Sequence, residues 1–183
     1  MLSDQIIFQT KQWINSFIIK YNICPFARSA FIQEQIYYAV IDSNSIEDCL
    51  YAVFTECQRL DKQKDIETTF LIFPDYFDHF DEFLNFLALS EELLKLHCYE
   101  GIYQLASFHP DYCFEDATKQ DPANYTNKSP YPMIHLIREA SVSKAISSFP
   151  HPELIPQNNI DLTRKLGTVK LQKILNTALN KQA

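Results

Sequence analysis

Glycine is nearly absent from this sequence: only 2 of its 183 residues are glycine, although average usage is roughly 7%. Phosphate-binding loops of the dinucleotide-binding and P-loop types need several glycines close together. Both types are therefore excluded. Any site for an anion must instead use helix N-termini and basic side chains.

The sequence also lacks an excess of positive charge and any long apolar run. Its 16 Lys and Arg residues stand against 23 Asp and Glu, a formal net charge of −7, whereas nucleic-acid-binding proteins usually present a basic face. No apolar run approaches the roughly 18 residues that a membrane span needs. The N-terminus carries Asp4 where a signal peptide carries basic residues. We therefore expect a cytoplasmic protein that binds neither nucleic acid nor membrane. The sequence indicates neither a cofactor nor an oligomeric state.

The five cysteines form no CxxC motif, and their number is odd. Because cytosolic thiols stay reduced, we expect no structural disulfide. Cys24 precedes Pro25, with Arg28 as the only nearby cation in the sequence. A reactive thiolate needs an electropositive setting, so this pattern favours a small core residue at Cys24 over a reactive one.

The residues that are abundant predict one domain over residues 1–183, since 46% of the chain is apolar and 14% is aromatic. Runs of β-branched and aromatic residues predict three strands, at 36–41, 68–73 and 102–108. Helical periodicity predicts helices at 3–20, at 45–60, after Asp78, at 132–148, and as a final pair broken at Gly167. The β-α-β-α-β order predicts an α/β fold with a small parallel, or mixed, three-stranded sheet. N-terminal and C-terminal helices would flank this sheet.

Polar residues follow each predicted strand, where ligands bind in open parallel sheets. Asp42 follows the first strand, Asp75 the second, and His109 with Asp111 the third. The loop 109–131 is also longer than the ~12–15 residues beyond which structureless loops are usually functional. We expect His109 to transfer a proton there, assisted by Asp75 or Asp111. The structural alternative makes the aspartates caps or turn residues and His109 a satisfied polar residue.

The segment 124–132 leads into the predicted helix, whose free N–H groups would bind an anion. The candidate substrate-binding residues are Lys128, Ser129, His135, Arg138, Tyr125 and Asn127. These features favour a small enzyme acting on an anionic small molecule, such as a phosphorylated one. One alternative is a non-catalytic ligand-binding or adaptor module. A second is a metal-dependent enzyme that uses His109 and His135, although no recognised metal-binding spacing occurs.

Several of these segments resemble a bacterial family known as the domain of unknown function numbered 1415, over nearly the whole chain. The resemblance rests on Asn22-Ile23-Cys24-Pro25-Phe26-Ala27, Glu67-Thr68-Thr69, Phe108-His109-Pro110 with Tyr112 and Phe114, residues 121–132, His135, and Arg138-Glu139. Lys128 stands where the family pattern commonly has Arg, which preserves a cation. The resemblance implies a shared fold and a shared site, but no activity, substrate or catalytic residue.

Overall fold

The computed structural model of this chain describes residues 2–180, which contain seven α-helices and four β-strands. The strands are β1 (Ile36–Val40), β2 (Thr68–Ile72), β3 (Tyr103–Phe108) and β4 (Met133–Arg138). The helices are α1 (Ser3–Trp13), α2 (Ala27–Ile32), α3 (Ile46–Lys62), α4 (Phe80–Leu96), α5 (Glu139–Ser147), α6 (Ile155–Leu166) and α7 (Thr168–Ala178). A π-helical segment (Ile14–Ile19) continues α1, and 3₁₀ turns occur at Pro122–Thr126 and Pro152–Leu154. None of the helices within residues 2–180 has the length and apolar character that crossing a membrane requires.

The four strands form one mixed sheet in the order β1-β2-β4-β3. β1 and β2 are parallel, whereas β4 is antiparallel to both β2 and β3. It follows that β1, β2 and β3 all point the same way, and β4 runs between β2 and β3 in the opposite direction. The α/β class is confirmed, but the sheet has four strands rather than the three predicted.

The fourth strand is the main correction to the sequence-based fold. We predicted a helix from Pro132 onward, because the apolar residues fit a helical period and Pro132 suits its first position. The segment is instead β4, and the helix α5 begins only at Glu139. A short apolar run does not distinguish a fully buried strand from a helix. β4 runs between two other strands, and its residues Met133, Ile134 and Leu136 are fully buried.

The side chains of the sheet alternate between two faces, and each face has its own apolar cluster. α3 and α4 cover one face, where Leu71 and Leu136 pack against helix residues such as Val53 and Phe86. The other face meets α1, the π-helical segment and α7, which pack on Ile72 and its neighbours near the carboxyl ends of β1, β2 and β3. The amino half of that second face borders a cavity.

The assignment of β4 to the sheet can be tested by truncating a buried leucine. We expect Leu136→Ala to lower the free energy of unfolding by about 3 kcal/mol, because such truncations usually cost 2–5 kcal/mol. Ile146→Ala is the control, since Ile146 in α5 is 43% exposed and surface changes usually stay within about 0.5 kcal/mol. Urea denaturation measures both variants. Equal small losses would contradict the burial of β4.

Candidate functional site

The residues predicted as catalytic lie where expected, just beyond the strands, but the three differ strongly in exposure. Asp75 and Asp111 are exposed, whereas His109 is 1% exposed. The backbone N–H of His109 donates to the carbonyl of Asn127 over 3.2 Å, which ties the end of β3 to the following loop. His109 is therefore part of the packed structure at this edge.

Two backbone groups hold the imidazole of His109. The N–H of Asp111 donates to Nδ1 over 2.9 Å, so the proton lies on Nε2, which donates to the carbonyl of Phe77 over 2.8 Å. Burial lowers the pKa of His109. With both nitrogens engaged, the geometry fits the structural alternative, and proton transfer by His109 stays a prediction.

Arg138 lies far from His109 along β4. Because β4 runs antiparallel to β3, its last residue is at the amino edge, where Arg138 pairs with Tyr103. Its Nη2 donates to the carbonyls of Leu60 and Ile66 over 2.6 and 3.0 Å. The guanidinium therefore binds the backbone of the last turn of α3 and of the segment that follows it, and it does not join the other residues predicted to hold an anion.

The segment before β4 also uses its side chains within the protein. Lys128 Nζ lies 5.1 Å from the centre of the Tyr125 ring, and the Ser129 hydroxyl donates to the carbonyl of Tyr131 over 2.6 Å. The amide of Asn127 donates to a backbone carbonyl of β3 over 3.1 Å. Since a strand follows directly, the helix N-terminus predicted to bind an anion is absent at this point of the described chain.

The two histidines proposed for a metal lie on opposite faces of the sheet. His135 stacks on Phe70, which belongs to the cluster of α1 and α7. The ring centre of His109 lies 5.4 Å from that of Phe83, which belongs to the cluster of α3 and α4. A single ion cannot bridge them across the sheet. Among residues 2–180, no group of three His, Cys, Asp or Glu side chains is placed to hold a metal ion.

A cavity of about 750 Å³ lies over the second face of the sheet, within the 300–1,000 Å³ typical of ligand pockets. The strand register locates it. Its floor consists of two rows of residues that are paired across the strands and face the same side of the sheet. The first row is Ile36, Thr68, Ile137 and Gln104, and the second is Phe70, His135 and Ala106. Both rows lie toward the amino ends of β1, β2 and β3. The cavity therefore lies mainly over the amino half of this face, but it reaches the carboxyl edge where the sequence predicted the site. Phe108 at the end of β3 and Phe114, Thr126 and Asn127 of the following loop also line it.

Helices, their connections and the loop between β3 and β4 form the remaining walls of this cavity, which are mostly apolar. Cys24 and Phe26 line one side before α2, Val142 and Ala145 of α5 line another, and the first turns of α6 complete the enclosure. The ring of Phe26 packs edge-on against Phe149, with ring centres 5.5 Å apart. This contact joins the α2 wall to the connection between α5 and α6.

The cavity lining has few charged side chains, and the charge it carries is negative. Glu67 is the only residue among those lining the cavity within residues 2–180 that carries a formal charge at neutral pH, and neither Lys nor Arg is present. Three exposed residues, Ser29, Gln104 and Pro156, also belong to the lining. The lining is therefore not fully shielded from solvent.

His135 supplies the best-defined polar group of the cavity. Its ring stacks on Phe70, with ring centres 3.9 Å apart and planes inclined by 6°. Thr68 Oγ1 lies 2.7 Å from His135 Nε2 and 2.6 Å from the carbonyl oxygen of Leu136. A carbonyl only accepts, so the Thr68 hydroxyl donates to Leu136 and accepts from the Nε2–H of His135.

The proton on Nε2 leaves Nδ1 of His135 as an acceptor. Nδ1 has no hydrogen-bond partner among residues 2–180, and it is not one of the fully buried unpartnered atoms of that range. It therefore retains accessible surface, and the space beside the ring is the cavity. Burial lowers the pKa of His135 to about 3, so the imidazole is neutral at neutral pH.

Cys24 faces the same cavity as a neutral thiol. Burial raises its pKa, although hydrogen bonds from the backbone of Phe26 and Ala27 oppose this shift. Cys24 is half-buried, so it is a wall residue rather than a fully enclosed core residue. Most of the segments that carried the family resemblance contribute to this lining, namely 22–27, 67–69, Phe108 with Phe114, 121–132 and His135. Nothing in the local sequence signals that they meet.

The structural role of His109 can be measured. We expect His109→Ala to lower the free energy of unfolding by about 2–4 kcal/mol, because it removes a buried ring and unpairs two backbone groups. A proton-transfer role at an accessible position would instead predict a change within about 1 kcal/mol. Asp111→Ala keeps the backbone N–H and removes only an exposed carboxylate, so it is the matched control. If urea denaturation gave His109→Ala the same free energy of unfolding as the wild type, the proton-transfer role would be favoured instead.

The lowered pKa of His135 predicts a sensitivity to acid. In the unfolded chain a histidine binds its proton near pH 6.5, whereas His135 in the folded protein does so near pH 3. Between these values the unfolded state binds more protons, so stability falls as the pH falls, by up to about 1.4 kcal/mol per pH unit. His135→Phe removes this component. We expect a flatter plot of unfolding free energy against pH between 6.5 and 4, and a slope equal to that of the wild type would contradict the shift.

No curated protein and no solved structure matches the chain significantly. One family model does match, described as "Protein of unknown function (DUF1415)", over residues 5–173. That range includes all four strands and every residue of the cavity lining. The chain therefore belongs to this family, as the motifs in its sequence indicated.

Proposed function

We propose that this protein binds a small, uncharged and largely apolar molecule in the cavity over the sheet. One observation carries the proposal: the cavity of about 750 Å³ combines apolar and aromatic walls with an accessible nitrogen on a fixed imidazole. Small-molecule sites typically have this composition, an apolar enclosure with a few polar groups that orient the ligand.

The charge of the lining supports an uncharged ligand over the anion expected from the sequence. A buried anion needs a counter-charge, because removing it from water is costly. The lining contains Glu67 but neither Lys nor Arg. Lys128 and Arg138, which were expected to hold the anion, have other contacts outside this lining.

The chemistry of the cavity supports binding rather than catalysis. General bases work best when their pKa lies near the operating pH, whereas the pKa of His135 is about 3. The pKa of Cys24 is raised, so its thiol is not activated as a nucleophile. The ligand-binding alternative therefore has more support than the enzyme, which stays a prediction.

Binding can be tested with N-phenyl-1-naphthylamine, an uncharged dye that fluoresces in apolar surroundings. We expect saturable binding to the wild type, and about tenfold weaker binding to Ala106→Trp, a loss of about 1.4 kcal/mol. Ala106 lies on β3 beside His135 and lines the cavity, so a large ring there would fill the space.

Ala140→Trp is the matched control, because Ala140 is exposed on α5 and does not line the cavity. It should bind the dye like the wild type. Thermal melts of all three proteins would confirm that each is folded. An equal effect of the two substitutions, or no binding to the wild type, would contradict the proposal.

A further inference from the structure

We infer that His135 recognises an uncharged hydrogen-bond donor on its ligand, so that the cavity selects aromatic molecules bearing a hydroxyl or N–H group. The inference rests on the proposed function, because it concerns the same cavity. It goes further by assigning the chemical class of the ligand and by making Thr68 the residue that sets the preference.

The first step is the direction of the hydrogen bonds from the sheet to the cavity. Leu136 pairs with Thr69 across the β2–β4 ladder, so its carbonyl is fixed in the backbone. The hydroxyl of Thr68 donates to that carbonyl over 2.6 Å, and this leaves its oxygen to accept from His135 over 2.7 Å. This series of hydrogen bonds begins at the Leu136 carbonyl, which can only accept. The direction of each following hydrogen bond is therefore determined.

The second step is the cost of the other tautomer. If the proton moved from Nε2 to Nδ1, two lone pairs would face each other across the 2.7 Å between His135 and Thr68. Protonation of both nitrogens is disfavoured as well, since burial lowers the pKa of His135. Nδ1 therefore presents a lone pair to the cavity, and the ligand atom that meets it must donate.

The third step concerns the body of the ligand. The rings of His135 and Phe70 are stacked, that of Phe108 lies 6.1 Å from Phe70, and that of Trp13 lies 5.4 Å from Phe108. All four residues line the cavity. Aromatic ligands pack well on such a surface, because offset and edge-on ring contacts are favourable.

The fourth step concerns charge. A carboxylate would bring its own lone pairs toward Nδ1 without a cation to compensate, because neither Lys nor Arg lines the cavity. An ammonium group is a donor and Glu67 is negative, but its charge would have to leave water for mostly apolar walls. An uncharged donor satisfies Nδ1 without this cost.

Four ligands that share a naphthalene ring separate these cases: 2-naphthol, 2-methoxynaphthalene, 2-naphthoate and 2-(aminomethyl)naphthalene. Isothermal titration at pH 7 should show 2-naphthol binding about fivefold to tenfold more tightly than 2-methoxynaphthalene, the range of one net hydrogen bond. The carboxylate should bind at least about tenfold more weakly than the ether. The ammonium should bind more weakly than 2-naphthol.

Variants then test the role of Thr68 as a positioning residue. Thr68→Val removes the oxygen that accepts from Nε2–H, so the ratio of the 2-methoxynaphthalene to the 2-naphthol dissociation constant should fall to about one or below. Thr68→Ser keeps the hydroxyl and should keep the wild-type ratio. His135→Phe should lower the ratio to about one. A two-bond ¹H–¹⁵N spectrum of the wild type reports the tautomer without a ligand, and we expect Nε2–H for His135.

The outcomes separate this inference from the binding function itself. Equal affinities for 2-naphthol and 2-methoxynaphthalene, tighter binding of either charged ligand, or an Nδ1–H tautomer would overturn the inference. Failure of all four ligands while the dye binds at the cavity would overturn it as well. Failure of the dye together with all four would overturn the proposed function.

Discussion

The position of β4 between β2 and β3 is the constraint on which the rest of the structure depends. Hydrogen bonds to both neighbours fix its register, and the register assigns each side chain to one face. Leu136 points to the cluster of α3 and α4, while His135 points to the cavity. A slip of one residue would exchange these faces, placing an imidazole in the closely packed core and a leucine in the cavity.

The two faces of this sheet are packed to different degrees. Protein interiors normally contain few voids larger than a water molecule, and the face under α3 and α4 follows this rule with many fully buried residues. The other face is filled only near the carboxyl ends of β1, β2 and β3, and about 750 Å³ remains over its amino half. α5 forms part of the wall although none of its residues is buried.

The two histidines that were candidates at the outset show how the surroundings decide the role of one residue type. Both are neutral, because burial lowers the pKa of each. At His109 both ring nitrogens bond to the backbone, so the ring joins chain segments. At His135 one nitrogen bonds to Thr68 and the other remains accessible, so the ring can bond to a ligand. The sequence favoured His109 because it follows a predicted strand and begins a long loop, and nothing local shows that its ring nitrogens both bond to the backbone.

The sequence by itself determined the segments that form β1, β2 and β3, and the break between the last two helices at Gly167, whose φ is 76°. These features depend on patterns within a dozen residues, such as apolar periodicity and caps. Only the tertiary structure decided that the residues after Pro132 form a strand, and only it placed the cavity. The partners that settle these points are distant in the chain: Thr68 is 67 residues from His135, and Leu60 is 78 residues from Arg138. No local pattern encodes such a pairing, because it depends on which segments the sheet brings side by side.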